Sequence, residues 1–340
     1  MKAMQQDARA GKYFSSFGGL WIDRSDFAGQ LQRRLDAGEL AQQEADDLEF
    51  YEANGYVVFK GAVDPALCDD YAEAFKQIWT DPPPTLWASL GGRIVAFDPA
   101  QYERIVKVAD FHYYYPRAVE ILYPPRVLRF LELIYERAPV VFQTMTVRKG
   151  TEEPLHTDTG PLSLTEPMSL VASWLALEDV QPGSGELQFV PRSHRVPEQL
   201  VNGRKAHLGD MHAYHQSLEA LKAECEERDY GVQQFMAKKG DVLIWAADLL
   251  HGGKPIENAE LSRKSLIAHF MPQGVMPTFY DHSDVDTVAY GNGAYCLNRY
   301  KPAEVNYYHR KPGPLKSLQR QLGVIKQRAN LFYRYLRRPG

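Results

Sequence analysis

The sequence has little cysteine and lacks any long apolar run. Its 340 residues include three cysteines, Cys68, Cys225 and Cys296. An odd number without C-x-x-C spacing argues against a disulfide scaffold or a cysteine zinc site. The longest uncharged apolar stretches, such as 242–247, fall far short of the ~20 residues that a membrane-spanning helix requires. The first residues also lack the apolar core of a secretory signal. We therefore expect a globular protein in a reducing cytoplasm, with no transmembrane segment.

Negative charge is in slight excess, and the positive charge is unevenly distributed. The net charge is −4, yet residues 311–340 contain eight Lys or Arg and no Asp or Glu. Apolar residues within 315–338 recur at alternating spacings of three and four, which predicts a basic amphipathic helix in this segment. Such a helix either contacts an anionic membrane surface or packs against the acidic remainder of the protein, in one chain or across a homodimer. We favour the packed or dimeric arrangement and expect no nucleic-acid partner.

The chain divides into a helical first part and a β-rich second part. Residues 1–40 read as an N-terminal extension, and 41–137 as helical support, in which Gly55 is suited to end one helix and Asp64 to open the next. In 138–272, short apolar runs separated by turn residues favour an antiparallel sandwich or barrel over a parallel α/β sheet. The predicted strands are 140–147, 169–177, 186–190, 232–236, 241–245 and 265–270. We expect one domain over 41–310, mainly β with flanking helices, with a jelly-roll core.

An insertion is predicted at about 195–230, between two core strands. Structureless loops longer than about 12–15 residues in compact domains are often lids or binding loops. Between Arg192 and His215 this part of the chain carries four Arg or Lys against Glu198 and Asp210. We therefore expect it to cover the mouth of a site that takes an anionic or strongly polar substrate.

The sharpest chemical pattern is the H-x-D pair His156 and Asp158. In extended backbone, residues two apart point to the same side, so this imidazole and carboxylate can converge on one metal ion. His251, 95 residues further on, offers a third ligand. Two histidines and one carboxylate form the non-heme Fe(II) arrangement, which leaves coordination positions open. Zinc, or histidines with purely structural roles, remain alternatives on the residues alone.

A second pattern follows the distal histidine. Arg263 and Ser265 share one face of a predicted strand, with Lys264 pointing the other way. A guanidinium beside a hydroxyl suits a carboxylate ligand. The alternative for Arg263 is a surface salt bridge.

Several further motifs occur in an order typical of one family. After the H-x-D pair come the segments SWLALED, PGSGEL, VPRSH and KGD, all before His251. This order resembles the phytanoyl-CoA dioxygenase family of Fe(II)/2-oxoglutarate oxygenases. The resemblance implies a double-stranded β-helix (cupin-like) fold, with His156, Asp158 and His251 as ligands of Fe(II). It also implies that Arg263 pairs with the distal carboxylate of the cosubstrate 2-oxoglutarate, and that O2 is the oxidant.

The same resemblance extends to the cosubstrate pocket. Lys107, in a K-x-x-D-F segment, falls near 2-oxoglutarate, and Met145 and Trp174 fall where the family lines the pocket. Where members often have Ser two residues after the distal histidine, this chain has Gly253, so that hydrogen bond is missing or is supplied by Ser265.

The resemblance also bears on the reaction. Members often have Gly where this chain has Arg192, and an added cation there would face substrate. Halogenating relatives replace the carboxylate ligand with a small residue, whereas Asp158 is present here. We therefore predict a dioxygenase that hydroxylates a small polar metabolite. The alternatives are a metal enzyme of the same fold that does not use 2-oxoglutarate, and a catalytically silent binding protein.

Overall fold

The computed structural model describes residues 11–83, 86–90, 93–160, 162–197, 200–201, 204–205, 211–278, 286–291 and 293–298. The predicted C-terminal helix lies outside these residues. Within them, no helix combines the length and the apolar composition needed to cross a bilayer.

Six α-helices precede or interrupt the β core of the described chain. Their positions follow local signals. Gly55 ends α2 in the left-handed region (φ 79°), and the Asp64 side chain accepts a hydrogen bond from the Ala66 N–H to open α3. Pro124 separates two further helices within 117–136, because proline interrupts a helix. The helices are α1 (Phe27–Asp36), α2 (Gln42–Asn54), α3 (Pro65–Gln77), α4 (Ala118–Leu122), α5 (Pro125–Tyr135) and α6 (Met211–Glu227).

The described strands form a large sheet, a small sheet and a hairpin of two very short strands. The large sheet runs in the order β1-β11-β6-β13-β5-β4-β2-β3, with β15 added parallel to β5 and β14 paired to β15. The small sheet has the order β10-β7-β12, and β8 pairs with β9. The bounds are β1 (Tyr56–Phe59), β2 (Trp87–Leu90), β3 (Arg93–Ala96), β4 (Lys107–Ala109), β5 (Pro139–Val147), β6 (Val171–Ala176), β7 (Leu187–Phe189), β8 (Leu200–Val201), β9 (Arg204–Lys205), β10 (Gln233–Phe235), β11 (Val242–Ala246), β12 (His251–Gly253), β13 (Ser265–Pro272), β14 (Asp286–Gly291) and β15 (Ala294–Asn298).

The two faces of the large sheet are covered differently. One face packs against the helices, where Leu175, Ile244 and Leu266 join the core formed by α2, α3 and α5. Side chains one residue along each strand point the other way, so Trp174 and Leu243 meet the small sheet at Phe189. The space between the two sheets is therefore lined by alternate residues of the central strands, and it contains the candidate site.

Two segments differ from the sequence expectations. Residues 20–40, part of the predicted extension, contribute Trp21, Phe27 and Leu31 to the core shared with the helices. The first part of the chain also supplies β2, β3 and β4, which the helical prediction omitted. These strands have only three or four residues each, too few to show a period in the sequence.

The insertion contains more regular structure than expected. Residues 211–227 form α6, and Tyr214, Leu218 and Cys225 on this helix are buried together with Leu250. The helix therefore packs beside the strand that begins at His251. Tyr214, Leu218, Leu221 and Cys225 recur at spacings of four, three and four, so one apolar stripe of α6 faces the core.

Candidate metal centre and cosubstrate pocket

Three side chains converge at one end of the small sheet. His156 pairs with His251 in an antiparallel bridge, with backbone N···O distances of 2.9 and 3.0 Å. Asp158 lies two residues after His156, and its backbone N–H donates to the Ala247 carbonyl oxygen (2.9 Å). Each of the three residues offers one ligand atom, and these atoms lie within 4.8 Å of one another. This is the spacing expected of ligands that share one ion.

Backbone carbonyls orient both imidazoles. The Nδ1 atom of His156 lies 2.8 Å from the Pro154 carbonyl oxygen, and that of His251 lies 2.9 Å from the Leu249 carbonyl oxygen. A carbonyl oxygen can only accept, so each Nδ1 carries the proton and each Nε2 keeps its lone pair. Fixing the tautomer in this way is typical of metal-binding histidines.

The carboxylate is held by a tryptophan. Trp245 Nε1 donates to Asp158 Oδ2 over 2.9 Å, while Asp158 Oδ1 lies 3.7 Å from His251 Nε2 and 3.9 Å from His269 Nε2. Burial opposes ionisation of Asp158, but the surrounding imidazoles and the Trp245 N–H outweigh it and lower the carboxyl pKa. Burial also lowers the pKa of His251 to about 4. At neutral pH the site therefore offers the neutral His251 imidazole and the Asp158 carboxylate to a cation, with His156 beside them.

The inner face of the large sheet carries the residues predicted to line the cosubstrate pocket. Strand register places Lys107, Val147 and Ser265 in one row across β4, β5 and β13. The next row on the same face contains Met145 and Trp174. The residues predicted to surround the cosubstrate thus lie together on one face.

Arg263 is the principal cation of this pocket. Its side chain is 2% exposed, and the guanidinium carbon lies 5.6 Å from the centre of the Trp174 ring. Nη1 donates to the Gly185 carbonyl oxygen (2.7 Å), so this guanidinium is not in a surface salt bridge. Burial lowers its pKa to about 10, a shift that Glu153 and Glu186 oppose. Lys264 points to the opposite side, where its Nζ contacts Glu178 Oε2 (2.8 Å).

Several buried polar atoms on this inner face lack a hydrogen-bond partner within the described part of the chain. They are Arg263 Nε, Ser265 Oγ, Trp174 Nε1 and Gln143 Oε1. Leaving a buried donor or acceptor unpaired is unfavourable by about 1–3 kcal/mol. Arg263 Nε, Ser265 Oγ and Trp174 Nε1 can donate, and these three donors fit a ligand with carboxylate and carbonyl oxygens, as 2-oxoglutarate has.

Two departures from the family pattern have structural causes. A side chain at Gly253 would place its Cβ 2.8 Å from Thr151 Oγ1, because the 150–153 loop lies against β12. The exposed Arg192 lies over the Tyr230 ring, 4.4 Å from its centre. In this structure the Arg192 cation is therefore engaged by the protein's own aromatic ring.

Two residues contribute to the site without being predicted from the sequence. One is Trp245, whose indole reaches Asp158 across 87 residues of chain. The other is Glu153, whose carboxylate accepts a hydrogen bond from Lys107 Nζ. Trp245 carries a weak signal, since it alternates with Leu243 on a core strand. Nothing in the order of residues marks Glu153.

The fold and these motifs can be compared with known proteins. The family model for phytanoyl-CoA dioxygenase (PhyH) matches residues 51–265, more than half of the chain. The chain belongs to the phytanoyl-CoA dioxygenase (PhyH) family. The family predicted from the motif order is confirmed. Peroxisomal phytanoyl-CoA dioxygenase of Bos taurus is 24% identical over 237 residues, 65% of this chain and 66% of that protein. The Homo sapiens protein is 24% identical over 254 residues, 71% of each chain. The alignments thus span about two thirds of these PhyH relatives.

Solved structures confirm the predicted fold of this PhyH member. The non-heme alpha-ketoglutarate-dependent carbocyclase SnoK from nogalamycin biosynthesis superimposes with a TM-score of 0.53 at 17% identity, covering 71% of this chain and 88% of SnoK. The epimerase SnoN, solved with Fe3+, alpha-ketoglutarate and nogalamycin RO, gives a TM-score of 0.52 at 16% identity, covering 75% and 98% of the two chains. EctD from S. alaskensis, solved with 2-oxoglutarate and 5-hydroxyectoine, gives 0.50 at 16% identity, covering 68% and 76%.

Proposed function

We propose that the protein is an Fe(II)- and 2-oxoglutarate-dependent dioxygenase that hydroxylates a small polar metabolite. The observation that carries this proposal is the convergence of the His156, Asp158 and His251 ligand atoms within 4.8 Å, on the same face as buried donors that have no partner within the described residues. Family membership supports the dioxygenase class.

The residues divide into two groups in this proposal. His156, Asp158 and His251 would hold Fe(II). Arg263 and Ser265 bind the distal carboxylate of 2-oxoglutarate, with Lys107, Met145 and Trp174 around the rest of the molecule. When bound, iron and cosubstrate supply oxidation by O2, with conversion of 2-oxoglutarate to succinate and CO2. The protein's own contribution is to orient the ligands, to pair the cosubstrate charges and to exclude water.

The polar character of the substrate is supported by the charge of the insertion, but two of its cations are already engaged. Arg195 contacts Glu52 Oε1 (2.8 Å) and Asp23 Oδ1 (3.4 Å), and Arg192 covers Tyr230. We therefore propose a polar substrate, without restricting it to anions. Hydroxylation is favoured over halogenation because the Asp158 carboxylate is present.

The test is reconstitution under anaerobic conditions. We expect the protein to bind one Fe(II) per chain, to develop a weak visible charge-transfer band with 2-oxoglutarate, and to form succinate slowly in air. His251→Ala should abolish the band, whereas His215→Ala, at an exposed histidine of α6, should leave it unchanged. Absence of metal-dependent 2-oxoglutarate binding in the intact protein would contradict the proposal. Binding without succinate formation would favour the silent binding protein.

Location and assembly are proposed separately. Cys68, Cys225 and Cys296 are buried and form no disulfide among the described residues, which supports the reducing cytoplasm expected from the sequence, whereas the curated relatives are named as peroxisomal. The homodimer and the membrane contact depend on 315–338, which lies outside the described residues. Flotation with anionic vesicles, and light scattering of the full chain and of a chain ending at residue 314, test these two proposals.

A further inference from the structure

A carboxylate of the protein itself lies in the proposed cosubstrate pocket. Glu153 stands three residues before the ligand His156, and its Oε1 accepts a hydrogen bond from Lys107 Nζ. The Lys107 side chain is 18% exposed and the Glu153 side chain 42%. The lysine is therefore largely enclosed, while its partner carboxylate has access to water.

The charge of Glu153 acts on the whole site. It raises the pKa of the Arg263 guanidinium and interacts electrostatically with His156 and His251. Burial opposes ionisation of Glu153, but Lys107 and these histidines outweigh it and lower its pKa. An anion in this pocket thus interacts with the same lysine, arginine and ligand set that a dicarboxylate cosubstrate would use.

The backbone holds Glu153 in this place. The Gly253 N–H donates to the Glu153 carbonyl oxygen (2.8 Å), and a Cβ at Gly252 would lie 2.5 Å from that same oxygen. Only bare backbone at these two positions of β12 allows the loop to lie so close. Gly253, which departs from the family pattern, is therefore part of the arrangement that brings Glu153 to Lys107.

We propose that Glu153 competes with 2-oxoglutarate for Lys107 and so sets the affinity of the site for its cosubstrate. This inference rests on the proposed function. In the empty site Glu153 neutralises the enclosed lysine, and cosubstrate binding displaces the carboxylate toward water. Ion pairs of this exposure are weak, so the competition reduces affinity by about two- to fivefold.

The experiment is calorimetric titration of 2-oxoglutarate into protein loaded with Mn(II), which avoids turnover. Glu153→Gln should bind 2-oxoglutarate about two- to fivefold more tightly than wild type at low salt, with the difference shrinking in high salt. Glu152→Gln is the matched control, because its carboxylate accepts from the Ile256 N–H (3.0 Å). Its affinity should equal that of wild type. In a Lys107→Met background, Glu153→Gln should have little further effect.

The outcomes separate this inference from the proposed function. Unchanged affinity in Glu153→Gln, with normal binding by wild type, overturns the competition alone. Weaker binding also overturns it and makes Glu153 a residue that positions Lys107. If neither wild type nor Glu153→Gln binds 2-oxoglutarate, the proposed function fails and the competition fails with it.

Discussion

The hydrogen bond from Trp245 to Asp158 provides a quantitative test of the metal centre. Trp245 is 2% exposed, and its Nε1 lies 2.9 Å from Asp158 Oδ2. Trp245→Phe removes this donor while keeping an aromatic ring on β11. A hydrogen bond to a charged group contributes about 1.5–3 kcal/mol. Removing a residue that orients a metal ligand typically weakens metal binding by about 10–100-fold.

The assay is competition for Mn(II) or Fe(II) against a chelator under anaerobic conditions, together with thermal unfolding of the metal-free protein. Trp245→Phe also leaves a cavity, which should lower stability by on the order of 1–2 kcal/mol. Trp174→Phe is a suitable control. That indole is 1% exposed in the same core, but its Nε1 has no partner within the described residues. It should lose similar stability and keep the metal affinity of wild type without cosubstrate.

The comparison of the two tryptophan variants decides the argument. We expect Trp245→Phe alone to weaken metal binding, by about 10-fold or more. If both variants keep the metal affinity of wild type, the Trp245 N–H does not support the carboxylate as a ligand. Equal weakening in both would show that the core, and not this hydrogen bond, controls the site.

Three further predictions concern other parts of the structure. Arg263→Ala should weaken 2-oxoglutarate binding by about 10-fold or more while leaving Fe(II) affinity nearly unchanged. Arg263→Lys should restore only part of the 2-oxoglutarate affinity, because an ammonium lacks the planar fork of donors. Calorimetric titration with each ligand checks this prediction. Burial raises the pKa of Asp23 to about 6 from an ordinary 3.8, although Arg195 opposes this rise. Between pH 4 and 6 the Asp23 carboxyl therefore ionises in the unfolded chain before it does so in the folded protein, and the stability of wild type falls as pH rises. In thermal unfolding, the stability of Asp23→Asn relative to wild type should increase from pH 4.5 to pH 7. A Cβ at Gly160 would lie 2.0 Å from the Tyr214 ring. Gly160→Ala should therefore lower the stability of the protein by about 1–3 kcal/mol and expose α6 to proteases. Adding Tyr214→Ala should restore part of the lost stability.

Much of the local structure was predictable because its causes are local. Gly55, Asp64 and Pro124 act on the backbone within a few residues of themselves, and each marks a helix boundary in the structure. The central strands were likewise readable as short apolar runs between turn residues. The H-x-D pair belongs to this class, because the spacing of His156 and Asp158 brings both side chains to one side.

Other features depend on segments that only folding brings together. The Trp245–Asp158 contact joins residues 87 apart, and the Lys107–Glu153 pair joins residues 46 apart. Strand β12 has three residues, two of them glycine, so its pairing comes from its neighbours and not from its own preference. The competing carboxylate follows from the close approach of the 150–153 loop to that strand, a distance that no local pattern encodes. Residue order thus specifies helix ends, strand faces and the ligand pair, while long-range packing determines which buried groups orient, neutralise or compete at the site.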